Sequence, residues 1–253
     1  MVISLLFCHL MTFDSDRPFA RTAPLVAASV AMRELQKEAE LAARVDVRVL
    51  IAGEYGVGKR RLARLIHAES SRHRGPFVSV RCGRDPETRL HARLFGGGNS
   101  SSRIRGAFDR ADGGTILLQD VDALTPALQD ALIGYLATGR AGAADGRALD
   151  VQILTSTKVP LIDKVGLGAF RNDLYYLLNT MYLPIPPLRE RPEDIEPLLE
   201  HFTTYYARRY GIGRPRLTSE WYAQYRAYAW PSNVRELQTM VATLVAQAAQ
   251  SFK

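Results

Sequence analysis

From about residue 25 to residue 185, short apolar runs alternate with stretches whose apolar positions recur at helical spacing. The apolar runs are Val47 to Ala52, Phe77 to Cys82, Thr115 to Leu118, Val151 to Thr155 and Met181 to Ile185. Between the first two, Leu62, Leu65 and Ile66 fall on one face of a helical pattern. Near-continuous apolar strands separated by helices predict a parallel sheet covered on both faces, because crossover helices bury each side. Beyond Pro186-Pro187 the strand pattern stops. Asp194 to Arg209 and Ser219 to Tyr228 read as helices, and a final helix begins near Asn233, where Asn233 and Glu236 have the spacing of an N-cap and its N3 partner. The division expected is an N-terminal extension over 1–20, poorly ordered, an α/β body over 21–188 and a small helical subdomain over 189–253.

Composition narrows the class. Hydrophobic residues make up 47% and charged residues 23%, enough for a sizeable core and too apolar for a disordered chain. The longest apolar candidate, Met1 to Met11, is broken by Ser4 and His9, so no membrane span is expected, and it lacks the basic flank and small-residue cleavage site of a signal peptide. Cys8 and Cys82 are too few for a disulfide framework, which points to a cytoplasmic protein. The net charge is +7 and arginine dominates it, since only Lys37, Lys59, Lys158, Lys164 and Lys253 are lysines. That balance suits a phosphate-rich partner, and an arginine-biased genome would produce it equally well. His9, His67, His73, His91 and His201 are scattered without metal-ligand spacing.

Gly53-Glu54-Tyr55-Gly56-Val57-Gly58-Lys59 follows the first apolar run and opens a helical pattern, the setting of a phosphate-binding loop. Glycines let backbone amides curl around phosphate oxygens, the helix N-terminus adds positive potential, and Lys59 supplies a charge for the outer phosphates. The next residue is Arg60, where such a loop has a hydroxyl for magnesium. An acidic strand end completes the usual site. Here Thr115-Ile116-Leu117-Leu118 leads into Gln119-Asp120, one carboxylate where two are expected, and an amide cannot offset magnesium charge as a carboxylate can.

These motifs, in this order, resemble the AAA+ domain of bacterial enhancer-binding transcription regulators, the class that activates sigma-54 RNA polymerase. Leu25 to Arg33 resembles its opening segment, Ala111-Asp112-Gly113-Gly114-Thr115 the approach to its Walker B strand, and Phe170-Arg171-Asn172-Asp173-Leu174-Tyr175-Tyr176 its arginine-finger segment. Pro186-Pro187-Leu188-Arg189-Glu190-Arg191 resembles the passage into the lid, and Trp230-Pro231-Ser232-Asn233-Val234-Arg235-Glu236-Leu237 the sensor II motif. The resemblance implies a five-stranded P-loop sheet with a helical lid, and ATP or ADP, with magnesium, held by 53–59, Arg60, Arg61 and Arg235. It also implies ring oligomers, usually hexamers, in which Arg171 reaches the neighbouring subunit's nucleotide.

The sequence departs from that family at its working parts. Only nine residues, Gly97 to Arg105, separate Leu94-Phe95-Gly96 from Gly106-Ala107-Phe108-Asp109, so the loop with which the family contacts the sigma factor is deleted. Arg60 replaces a Glu, Arg81 the switch Asn, Gln119-Asp120 the Asp-Glu pair, Lys158 the sensor I Asn or His, and Leu177 a second finger arginine. The expectation is a regulator module that binds nucleotide, assembles, hydrolyses weakly or not at all, and does not remodel sigma-54 polymerase. Arg60 and Arg81 would partly replace magnesium charge. Family members without the contact loop act at promoters of the housekeeping sigma factor, which keeps RNA polymerase and promoter DNA as indirect partners. No helix-turn-helix pattern follows the lid and no receiver pattern precedes residue 20, so a DNA contact would come from a longer chain or a partner. Two alternatives stay open: an active ATPase in which Asp120 still polarises water, and a sensor or mixed-ring partner in which Arg60, Arg61, Arg64, Arg72 and Arg74 grip a cyclic dinucleotide or nucleic acid.

Overall fold

The computed structural model describes residues 25–97, 104–140, 148–214 and 219–251. The expected N-terminal extension, Cys8, His9 and Lys253 lie outside these residues, as do positions 98–103 of the short loop after Gly97. Strands β1 (Val49–Ala52), β2 (Phe77–Arg81), β3 (Thr115–Gln119), β4 (Gln152–Thr157) and β5 (Met181–Pro184) form a five-stranded sheet in the order β2-β3-β4-β1-β5. All its pairings are parallel, as the unbroken apolar runs required. Helices α1 (Val30–Val45), α2 (Lys59–Glu69), α3 (Glu87–Phe95), α4 (Ala107–Arg110), α5 (Pro126–Thr138), α6 (Leu161–Gly166) and α7 (Asn172–Leu178) surround it. Alternate strand residues feed two cores: Ile51, Leu117 and Leu154 meet α1 and α2, while Leu50, Ile116 and Ile153 meet α3 to α7. Leu62 and Ile66 of α2 are fully buried, and each stabilises the fold by roughly 1.5–3 kcal/mol.

Helices α8 (Ile195–Tyr210), α9 (Ser219–Ala227) and α10 (Asn233–Ser251) form the second unit, with Leu199, Phe202, Trp230, Leu237 and Val241 in its core. It is fastened to the body by a buried chain of charges. Asp194 is the N-cap of α8, one residue before the helix proper, and closes the 3-10 turn that leads into it, wholly buried. Its carboxylate accepts from the Ala28 and Ser29 amides at 2.7 Å and from the Ser29 hydroxyl at 3.0 Å, so it anchors the N-terminus of α1. Arg191, 2% exposed, contacts Asp194 at 3.4 Å and donates to the Val57 carbonyl at 2.9 Å. One arginine therefore ties the lid to the glycine loop.

The cap expected at Asn233 is displaced by one residue. Glu236 accepts from the Ser232 amide at 2.9 Å, and Asn233 sits at φ 53° with its side chain turned toward the body. A left-handed backbone suits Asn better than most side chains, and it frees the carboxamide for the joint described next.

Candidate functional site

Because the strands run parallel, the carboxyl ends of β1, β3 and β4 open on one edge, where ligands bind in sheets of this type. The register pairs Ala52 with Thr157 and Arg81 with Gln119. It thus gathers the glycine loop, Gln119-Asp120 and Lys158 within one cleft.

Gly53, Gly56 and Gly58 have φ of 147°, 82° and 116°, all in the region that only glycine enters freely. Nothing lies within 4 Å of a Cβ built on Gly58, which leaves room where the loop meets the first turn of α2. Gly56 is the reverse case, since a Cβ there would meet the Ser232 carbonyl at 2.1 Å. Lys59 donates to the Gly53 and Glu54 carbonyls at 2.6 and 2.9 Å. Burial pushes its ammonium down to about 8, with Asp120 opposing that shift and Lys158 adding to it. Left-handed glycines, a helix start and a buried lysine fit the phosphates of a nucleotide.

The lid closes over the other side of the loop. Arg189 grips the Glu54 carboxylate at 2.6 and 2.9 Å, and the Asn233 amide reaches Glu54 at 3.1 Å. Those hydrogen bonds hold Glu54 at about 2, well below the carboxylate range. Asn233 also donates to the Tyr55 carbonyl at 2.9 Å and accepts from the Leu188 amide at 2.7 Å. Arg235 stacks its guanidinium over the exposed Tyr55 ring, 5.6 Å from the centroid.

At the acidic strand end, Gln119 turns away and donates its side-chain amide to Ser79 of β2 at 2.8 Å. Asp120 adopts φ 58° where β3 turns into the next segment and is 8% exposed. Its Oδ2 lies 3.0 Å from the Lys158 Nζ and 3.7 Å from the Arg81 Nε. Asp122 is also close, accepting weakly from the Lys158 backbone amide at 3.4 Å. Magnesium is a hard cation that takes oxygen ligands at near-octahedral geometry. The residues here do not fit it: a guanidinium follows Lys59, the amide at 119 is spent on Ser79, and the remaining carboxylate already faces two cations. Among the described residues no cluster of three His, Cys, Asp or Glu is placed to hold a metal.

Arg171 lies at the start of α7, outside this cleft. Its guanidinium is clamped by Asp173 at 2.7 and 3.0 Å and also contacts Asp130. Among the arginines proposed to grip one anion, Arg60, Arg61 and Arg64 share helix α2. Arg72 is committed to Asp46 at 2.7 Å and Asp150 at 2.6 Å, Arg64 stacks on Phe77, and Arg60 and Arg61 lie half-buried in the first turn of α2. Sequence reasoning missed Ser79 as the partner of Gln119, Glu54 as the partner of Arg189, and Arg191 with Asp194 as the fastening of the lid. Each of these contacts joins residues distant in sequence or a buried charged pair that no local pattern announces.

Two family models match the chain, the Sigma-54 interaction domain over residues 25–184 and the AAA+ ATPase lid domain over 189–252. The HTH-type transcriptional regulatory protein TyrR of Enterobacter agglomerans is 37% identical over 222 residues, covering 85% of this chain and 43% of that protein. The C4-dicarboxylate transport transcriptional regulatory protein DctD of Rhizobium meliloti strain 1021 is 38% identical over 223 residues, 85% of this chain and 48% of the relative. The chain spans about half the length of the curated relatives it matches. Among solved structures, NtrX from Brucella abortus in complex with ATP superposes with a TM-score of 0.83 at 33% identity, covering 91% of this chain and 54% of that one. The same protein in complex with ADP gives 0.82 at 33% identity over 89% and 52%. No helix among the described residues is long and apolar enough to cross a membrane. The chain belongs to the sigma-54 interaction domain family of AAA+ modules, with its helical lid attached.

Proposed function

We propose that this chain is the nucleotide-binding module of a sigma-54-activator-like transcription regulator, one that holds ATP or ADP between glycine loop and lid and cleaves it slowly or not at all. The loop geometry and the nucleotide complexes of NtrX support binding. The observation that carries the second half is the ion pair between Lys158 and Asp120 at 3.0 Å. In the family's site, a carboxylate at this position orients and activates the attacking water. Here an ammonium and a guanidinium face the Oδ2 of that carboxylate, where the attacking water would have to be held, and Gln119 offers no second one.

The deleted contact loop supports a role at promoters other than direct remodelling of sigma-54 polymerase. A ring of copies or related AAA+ subunits is supported by the stretch around the finger segment, in which Leu167, Arg171 and Tyr176 are all exposed. In such a ring a neighbour's phosphates would compete with Asp173 and Asp130 for the guanidinium. Placement in the cytoplasm follows the same reading.

The test pairs a titration of ATP, ADP and a cyclic dinucleotide with steady-state phosphate release. ATP and ADP should bind, Lys59→Ala should abolish binding, and release should stay near background. Release at the rate of an active AAA+ ATPase, lost in Lys59→Ala, would contradict the proposal and favour the active-enzyme alternative. Selective binding of the cyclic dinucleotide would favour the sensor.

A further inference from the structure

The geometry points to nucleotide binding that needs no divalent cation: Lys158 and Arg81, gathered on Asp120, supply the charge that a metal would bring to a di- or triphosphate. This rests on the nucleotide-binding reading above and goes beyond it. Phosphate oxygens entering the cleft carry several negative charges and need cations within hydrogen-bond reach. Lys59 provides one from the glycine loop. Lys158 and Arg81 provide two more, and both are partly open to the cleft, their side chains 43% and 49% exposed. That Lys158 helps depress the Lys59 ammonium shows the two sharing one electrostatic neighbourhood.

The local sum favours an anion over a metal. Lys59, Lys158 and Arg81 stand against Asp120 and Asp122, and Gln119 adds no charge, so the cleft is positive by one before anything binds. A divalent cation arriving there meets three cations and two carboxylates, of which Asp120 is already paired. A polyphosphate meets donors, since the Lys158 ammonium and the Arg81 guanidinium each carry N–H groups beyond the one that faces Asp120.

The experiment titrates ATP into the intact chain by calorimetry, once in magnesium and once in excess EDTA, with Lys59→Ala as the control for the site. The dissociation constants should agree within about threefold, a difference worth less than one good charge-assisted contact. Lys158→Gln should weaken binding in EDTA by about tenfold or more, and magnesium should recover part of the loss. Asp120→Asn, which releases both cations, should tighten binding in EDTA. Binding in magnesium that falls by more than about tenfold on chelation would overturn metal independence and leave the nucleotide-binding reading standing. Absence of binding in both buffers would overturn both. If Lys158→Gln fails to fold by circular dichroism, the comparison of buffers on the unaltered chain and Asp120→Asn still decide.

Discussion

The Asn233 carboxamide donates to the Tyr55 carbonyl at 2.9 Å, joining the first turn of the lid's last helix to the glycine loop 178 positions earlier in the chain. Its oxygen meanwhile accepts from the Leu188 amide. Removing it leaves the buried Leu188 amide and the partly buried Tyr55 carbonyl without partners. Asn233→Ala should therefore cost roughly 2–4 kcal/mol in urea unfolding, by the usual penalty for stranded buried groups. Asn233→Gly should cost about 1 kcal/mol less, because glycine accepts the left-handed backbone. Hydrogen exchange at the Leu188 amide should quicken in both.

Gly56 sets the distance between loop and lid. In Gly56→Ala the new methyl meets the Ser232 carbonyl at 2.1 Å on a backbone at φ 82°, so the lid must move or the loop must refold. ATP affinity should fall by about tenfold or more, as the lost contacts are of the charge-assisted kind. Gly58→Ala has open space around its Cβ and only the backbone strain of φ 116°, so it should lose less. The two titrations, run side by side, check the ranking.

Lys59 gives the site a pH dependence with a definite sign. Its ammonium titrates near 8 in the folded protein against 10.5 for an ordinary lysine. The unfolded chain therefore holds more protons between those values, and this group makes stability rise with pH from about 8 to 10.5. Nucleotide binding runs the other way, since phosphate needs the protonated form. Affinity should be level below pH 8 and decline above it, and a calorimetric series from pH 6.5 to about 9.5 would show the break. In Lys59→Gln the break should vanish together with most of the affinity.

The acidic strand end predicts what restoration would do. Gln119→Asp combined with Arg81→Asn and Lys158→Asn returns two carboxylates and removes both flanking cations. Phosphate release should rise well above the parent chain, because the variant regains a Walker B ligand and frees the water-activating carboxylate from its two cations. Unchanged release in that triple variant would mean that the acidic strand end is not what holds hydrolysis back.

Much of this was legible before the structure. Alternating apolar runs placed all five strands within two residues, and glycine spacing placed the loop, because both signals are local and periodic. The final helix was found, but its cap was assigned to Asn233 from spacing to Glu236. That pattern could not reveal that Ser232 takes the glutamate while Asn233 serves a contact from elsewhere in the fold. Replacement of the switch and sensor residues by Arg81 and Lys158 was readable position by position. That both converge on one carboxylate was not, since it depends on β2, β3 and β4 lying side by side and ending together.

The most direct measurement is the fate of the bound nucleotide. Protein incubated with excess ATP is stripped of free ligand, denatured in acid at intervals, and its bound nucleotide separated by chromatography. Intact ATP retained over hours, and none retained by Lys59→Ala, is the expected result. Bound ADP accumulating within minutes would contradict a site that holds its triphosphate without cutting it.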